Sequence, residues 1–130
     1  MFERVPWLLE GLMKVGLVSR QHKTRNVFDH REVSARSRTT AEEVARIQEF
    51  LPNGTKFVVV VVPARFELRD EHALFKKARL GVANALRSKG IAVIDLYDDF
   101  KKAGFAPTHF VHDGHWSPRG HLVAARAITH

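Results

Sequence analysis

Six consecutive residues, Phe57-Val58-Val59-Val60-Val61-Val62, are apolar, and five of them are β-branched. β-Branched side chains lose χ1 freedom against a helical turn and pack well on a pleated strand. The run does not alternate. A strand with one wet face reads apolar, polar, apolar; a strand with no polar positions is covered on both faces, as in a parallel sheet between helices. Pro63 ends the run, and residues 91–96 (Ile-Ala-Val-Ile-Asp-Leu) form a second of the same kind.

Between the two, Phe75, Ala78, Val82 and Leu86 recur at helical spacing. They predict a helix from near Asp70 to Lys89, with Gly90 as its C-terminal stop. Upstream, Thr39 and Thr40 stand three residues before Glu42 and Glu43, two overlapping capping boxes. They predict a helix that places Val44, Ile47 and Leu51 on one face and ends at Pro52-Asn53-Gly54. Residues 6–18 carry Leu8, Leu9, Leu12, Met13 and Leu17 near helical spacing, and residues 19–38 are polar, basic and without periodicity. The expectation is an N-terminal helix followed by a long polar loop. Asp98, Asp99 and Lys101 suggest a polar turn. Ser117 is a good N-cap, Pro118 suits the first helical position, and Leu122, Ala125 and Ile128 are expected on the inward side of a terminal helix.

Helices alternating with unbroken apolar strands define an α/β protein with a parallel sheet. Only two strands are visible, whereas sheets commonly have about four to six. The organisation predicted is one partial domain over residues 1–130, with the N-terminal helix and polar loop in 1–38 and the α/β core in 39–130. A hydrophobic fraction of 45% supports a packed core, and the absence of cysteine excludes disulfides and thiolate metal sites. The net charge is +7, with eight basic against four acidic residues in 1–40. No Lys/Arg run or basic stripe interleaved with aromatics accompanies it, so no nucleic-acid partner is expected. Glu3, Arg4, Pro6, Glu10 and Lys14 interrupt the apolar N-terminal stretch, and no membrane span or signal peptide is expected. The compartment stays open.

The residues that carry chemistry lie in His112-Asp113-Gly114-His115-Trp116-Ser117-Pro118-Arg119-Gly120-His121. Residues i and i+2 of an extended segment point to the same side, so the Asp113 carboxylate can reach Nδ1 of His115 and leave Nε2 facing a substrate. That is the orienting half of a nucleophile–base–acid triad. The plainer reading is a pair that braces a loop before a helix. His109, His112 and His121 raise a metal site, but His-x-x-His-Asp-x-His is no recognised ligand spacing. Neither metal nor cofactor is expected. Trp116 is expected as a lid over the loop and His121 as a packed or surface residue. Asp95, Asp98 and Asp99 read as solvated turn carboxylates, with Arg65 and Glu67 able to line the same crevice.

The segment Asp113-Gly114-His115-Trp116-Ser117-Pro118-x-Gly120-His121 resembles the final block of the SGNH (GDSL-type) hydrolases. It is most similar to the Asp-x-His-Trp variant of bacterial alginate O-acetyltransferase-like proteins. The resemblance extends over about residues 55–129, through the Val-rich strand ending at Pro63 and the Asp95-Leu96 strand end. It implies a three-layer, flavodoxin-like SGNH-type fold, present here as its C-terminal half. It also implies a small-molecule or carbohydrate ester substrate, with Asp113 as triad acid and His115 as triad base. The family's serine lies in a Gly-Asp-Ser type block followed by glycine and asparagine oxyanion donors, and nothing in this sequence matches those blocks. Ser19, Ser34, Ser37 and Ser88 lack the strand-to-helix context. The nucleophile would then come from a missing N-terminal segment or a second chain, and the isolated chain would be inactive. The alternative is a non-catalytic α/β binding module that works through its open sheet edge.

Overall fold

The structure is a computed structural model that describes residues 30–129. The helix expected over residues 6–18 lies outside them. The first described element, α1 (His30–Glu49), begins inside the stretch expected to be loop. Its buried face is Val33, Ser37 and Ala41, an i, i+4, i+8 line of small or short side chains that an apolar count overlooks. An exposed Arg36–Glu32 pair one turn apart supports it at 2.6 Å. Thr39 and Thr40 consequently sit mid-helix rather than at a cap, and the Thr39 hydroxyl donates back to the Ala35 carbonyl at 3.2 Å. Ile47, expected to face inward, is exposed, while Val44 is half-buried.

Both strands form. β1 (Val58–Val61) pairs in parallel with β2 (Ala92–Asp95), in the register Val58 to Ala92 through Val61 to Asp95. The crossover between them holds a short helix, α2 (Arg65–Asp70), and a long one, α3 (Ala73–Ser88). α3 ends as Gly90 requires. Gly90 takes φ +76°, its N–H donates to Arg87 at 2.9 Å, and the Ile91 N–H donates to Leu86 at 3.1 Å. Those paired bonds are a Schellman motif, which uses the left-handed backbone that glycine adopts without strain. After β2 the expected polar turn is instead a helix, α4 (Tyr97–Ala103). Asp98 and Asp99 lie in its first turn and Lys101 and Lys102 in its last, matching the helix dipole, and Phe100 points into the core. A single turn, α5 (Phe105–Thr108), and the terminal helix α6 (Pro118–Thr129) complete the described chain.

The sheet is sandwiched. On one face Phe57, Val59 and Val93 pack on Ala41, Leu86 and Ile91; on the other, Val60 and Ile94 pack on Leu68, Leu96, Phe100 and Ala124. Helices α1 and α3 cover the first face, and α4 and α6 the second. The result is a three-layer α/β/α arrangement around a two-stranded parallel sheet. Both faces of the valine run are covered, but its end residues Val58 and Val62 are half exposed. α1 and α3 lie close where Gly81 faces Ser37: a β-carbon on Gly81 would lie 2.9 Å from both Cβ and Oγ of Ser37. The Ser37 hydroxyl is shared between the Val33 carbonyl at 2.8 Å and the Ala78 carbonyl across the interface at 3.3 Å.

α6 is rotated relative to expectation. Gly120 and Ala124 are buried and Val123 and Ala127 pack on the core, whereas Leu122, Ala125 and Ile128 face outward. The reason is Gly120. Its neighbours are the Thr108 carbonyl oxygen and the Trp116 Cβ, so the helix start lies on main chain where a side chain would not fit. That contact fixes which face turns inward.

Candidate active site

Residues 109–117 form the loop that carries the acid–histidine pair, and main-chain hydrogen bonds close it. His109 and Trp116 make an isolated antiparallel bridge. The Phe110 N–H donates to the His115 carbonyl at 2.9 Å, and the Ser117 N–H to the Thr108 carbonyl at 2.9 Å. At the outgoing end Ser117 is the N-cap of α6. Its hydroxyl donates to the Pro107 carbonyl at 2.7 Å and accepts from the Gly120 N–H at 3.3 Å. Trp116 is an anchor rather than a lid: its half-buried ring packs on Phe100 with centroids 5.0 Å apart, and His121 meets it edge-on at 5.5 Å.

Within this frame Asp113 and His115 meet. One carboxylate oxygen of Asp113 lies 3.2 Å from His115 Nδ1, and the other accepts the His115 main-chain N–H at 2.9 Å. The segment is not extended as expected. Residues 111–113 form a turn, Gly114 takes φ +73°, and the pair meets because the aspartate bonds its own chain two residues on. The His115 N–H, then its ring, hold the Asp113 carboxyl below its usual range. With Nδ1 turned to the carboxylate, Nε2 is the ring atom left for a proton acceptor. The imidazole is 82% exposed and the carboxylate 57%. This geometry can orient an imidazole and fix its tautomer.

The other histidines do not gather around it. His109 is buried, stacks on Phe105 at 4.4 Å and lies 3.0 Å by Nδ1 from the Thr108 hydroxyl; burial lowers its pKa. His112 and His121 are exposed. Among the described residues no group of three or more His, Asp or Glu side chains is arranged to hold a metal. The described serines are engaged in main-chain bonding: Ser34 to His30, Ser37 to Val33, Ser88 to Ala85 and Ser117 to Pro107. Ser19 lies outside the described residues.

Two features near the strand ends carry more than the sequence suggested. Arg65, at the start of α2, lies along Gly114: a β-carbon there would come within 2.6 Å of Arg65 Nη1 and 2.8 Å of its Cδ. Gly114 is suited to its positive φ, and the Arg65 arm lies in the space a side chain there would take. Glu67 and Asp95, by contrast, are no crevice or turn carboxylates. Both are paired with a buried Arg79, whose Nε lies 3.0 Å from each Glu67 oxygen and whose Nη1 bonds Asp95 Oδ2. Asp95 also accepts the Tyr97 N–H at 3.1 Å, and the guanidinium lies 4.2 Å above the Tyr97 ring. Burial works to strip the Arg79 proton, but hydrogen bonds and charges from Glu67 and Asp95 outweigh it and raise the pKa. This network ties α2, α3 and the end of β2 together beneath the region where Arg65 emerges. Sequence spacing could not reveal it, although an arginine on the inward face of an amphipathic helix was the available signal.

A layered α/β scaffold with an Asp–His pair on the loop before its last helix is an SGNH-hydrolase-like arrangement. The chain belongs to the family described as SGNH hydrolase-like domain, acetyltransferase AlgX, whose profile matches residues 23–130 and thus every described residue. No curated protein and no solved structure matches the chain. Among the described residues no helix is long and apolar enough to cross a membrane.

Proposed function

We propose that this chain supplies the acid–base half of an SGNH-type serine O-acyltransferase or esterase acting on a carbohydrate ester. Asp113 orients His115; His115 Nε2 takes the proton of a serine hydroxyl as that oxygen attacks the ester carbonyl, then returns it to the departing alcohol. The observation that carries the reading is the double grip of Asp113 on His115, ring and main chain together, with the far ring nitrogen open. Family membership supports it. The serine and its oxyanion donors come from a polypeptide segment beyond the described residues or from a second chain, since the described serine hydroxyls are bonded to carbonyls.

Acetyl-ester turnover by the complete gene product, with its assembly partners, tests this. His115→Ala is expected to lower kcat by roughly 10²–10⁴-fold, the usual contribution of a positioned general base. The 130-residue chain alone is expected to leave nitrophenyl acetate intact. Undiminished turnover in the His115→Ala protein overturns the assignment. A second reading, a non-catalytic module that acts by docking a partner, draws on exposed Phe110 and Val111 in the same loop. It predicts partner binding that survives His115→Ala with no ester turnover in any assembly.

A further inference from the structure

We infer that Arg65 is a substrate-binding residue of the same site, taking the carboxylate of the acyl product; this rests on the acyl-transfer reading above. Three observations converge. The guanidinium arm lies along Gly114, between the candidate acid and base, where any other residue would place a side chain. Its Cζ lies 4.6 Å from the centroid of the Phe66 ring, so the cation is held by an aromatic face as well as by the loop. No carboxylate among the described residues pairs with it. The nearby Asp70 is occupied by Arg69 through two bonds of 2.7 Å and feels Arg65 only as a minor charge.

A guanidinium that already rests on an aromatic face and lacks an ion-pair partner is available to a ligand anion. Its planar fork of N–H donors matches the two oxygens of a carboxylate, and charge-assisted bonds of this kind are the strong ones. Arg65 is exposed, so solvent and small molecules reach it. Glu67, two residues along, is fully engaged by Arg79 and does not compete for it.

The probe is acetate, with acetamide as its neutral counterpart, titrated at constant ionic strength into the 130-residue chain and followed by the Arg65 Nε–H and His115 amide NMR signals. Saturable acetate shifts that acetamide does not reproduce are expected. Arg65→Gln is expected to weaken acetate binding roughly tenfold or more, the loss of one charge-assisted contact. Arg65→Lys, which keeps the charge without the fork, should bind between the two. Thermal unfolding of both variants should match the parent, separating lost binding from lost fold. No saturable binding, equal binding by Arg65→Gln, or acetamide as strong as acetate overturns the inference. His115→Ala separates the two readings: it should keep the acetate site while lowering turnover of the assembled enzyme roughly 10²–10⁴-fold, so either assignment can fail alone.

Discussion

Gly120 rests against the carbonyl of Thr108 so closely that no β-carbon fits between them. Trp116 Cβ would stand 3.0 Å from that carbon on another side. Neither neighbour is the free end of a flexible chain. Gly120→Ala must therefore push α6 off the loop that carries Asp113 and His115. Overpacking of this sort costs about 1–3 kcal/mol. Urea unfolding should show that loss, and the His115 amide resonance should move with it.

Ser117→Ala removes the α6 cap and the tie to Pro107 together. Loss of an N-cap costs about 1 kcal/mol. Equilibrium unfolding should fall by that order while the α/β layers persist by circular dichroism. An unchanged midpoint would show that the cap contributes nothing here.

Arg79 is the counter-charge for two carboxylates, Glu67 with its side chain 1% exposed and Asp95 at 15%. Arg79→Met leaves both in a poorly solvated site without their cation, which destabilises by about 3–5 kcal/mol. Glu67→Gln keeps an acceptor for Arg79 and leaves Asp95 as its anion, so it should cost distinctly less. Chemical denaturation of the two variants side by side checks the order.

Acid should act on two groups, and the directions follow from their folded pKa values. The Asp113 carboxyl is held low by the His115 N–H and ring, so the stability it contributes is complete above about pH 4 and disappears as pH falls through its depressed value. Burial holds the His109 pKa low, so its neutral form is favoured by folding. That contribution is complete above about pH 6.5 and is lost as pH falls toward the folded value. Carbon-detected NMR of Asp113 and nitrogen-detected NMR of His109 would follow each titration. His109→Phe should flatten the dependence of unfolding below about pH 6.5.

The strands were legible because an unbroken β-branched run depends on no partner to declare itself. The Ser117-Pro118 helix start was legible for a similar reason: cap chemistry is local. What failed depended on contacts between distant segments. Residues 30–38 are helical rather than loop because Val33, Ser37 and Ala41 are small enough to lie on α3, and nothing nearby in sequence announces that. α4 was missed because Asp98 and Asp99 look like turn residues until Phe100 is seen in the core. The inward face of α6 was misjudged by one position because a glycine, not a leucine, sets its closest approach. The Asp113–His115 pair was anticipated, although through an extended geometry when the chain in fact turns. Arg79, separated by 12 and 16 residues from its two acids, signalled only a cation on the inward face of a helix, not the carboxylates it meets.

Gly81 lies in the interior of α3, where a glycine weakens a helix by about 1 kcal/mol relative to alanine. Its contact with Ser37 explains its presence, and it also binds the fates of the two positions through divergence. A larger residue at 81 would be tolerated only alongside a glycine at 37, or where the two helices had moved apart. Among homologues this pair should drift in concert, a trace of the interface readable without any coordinates.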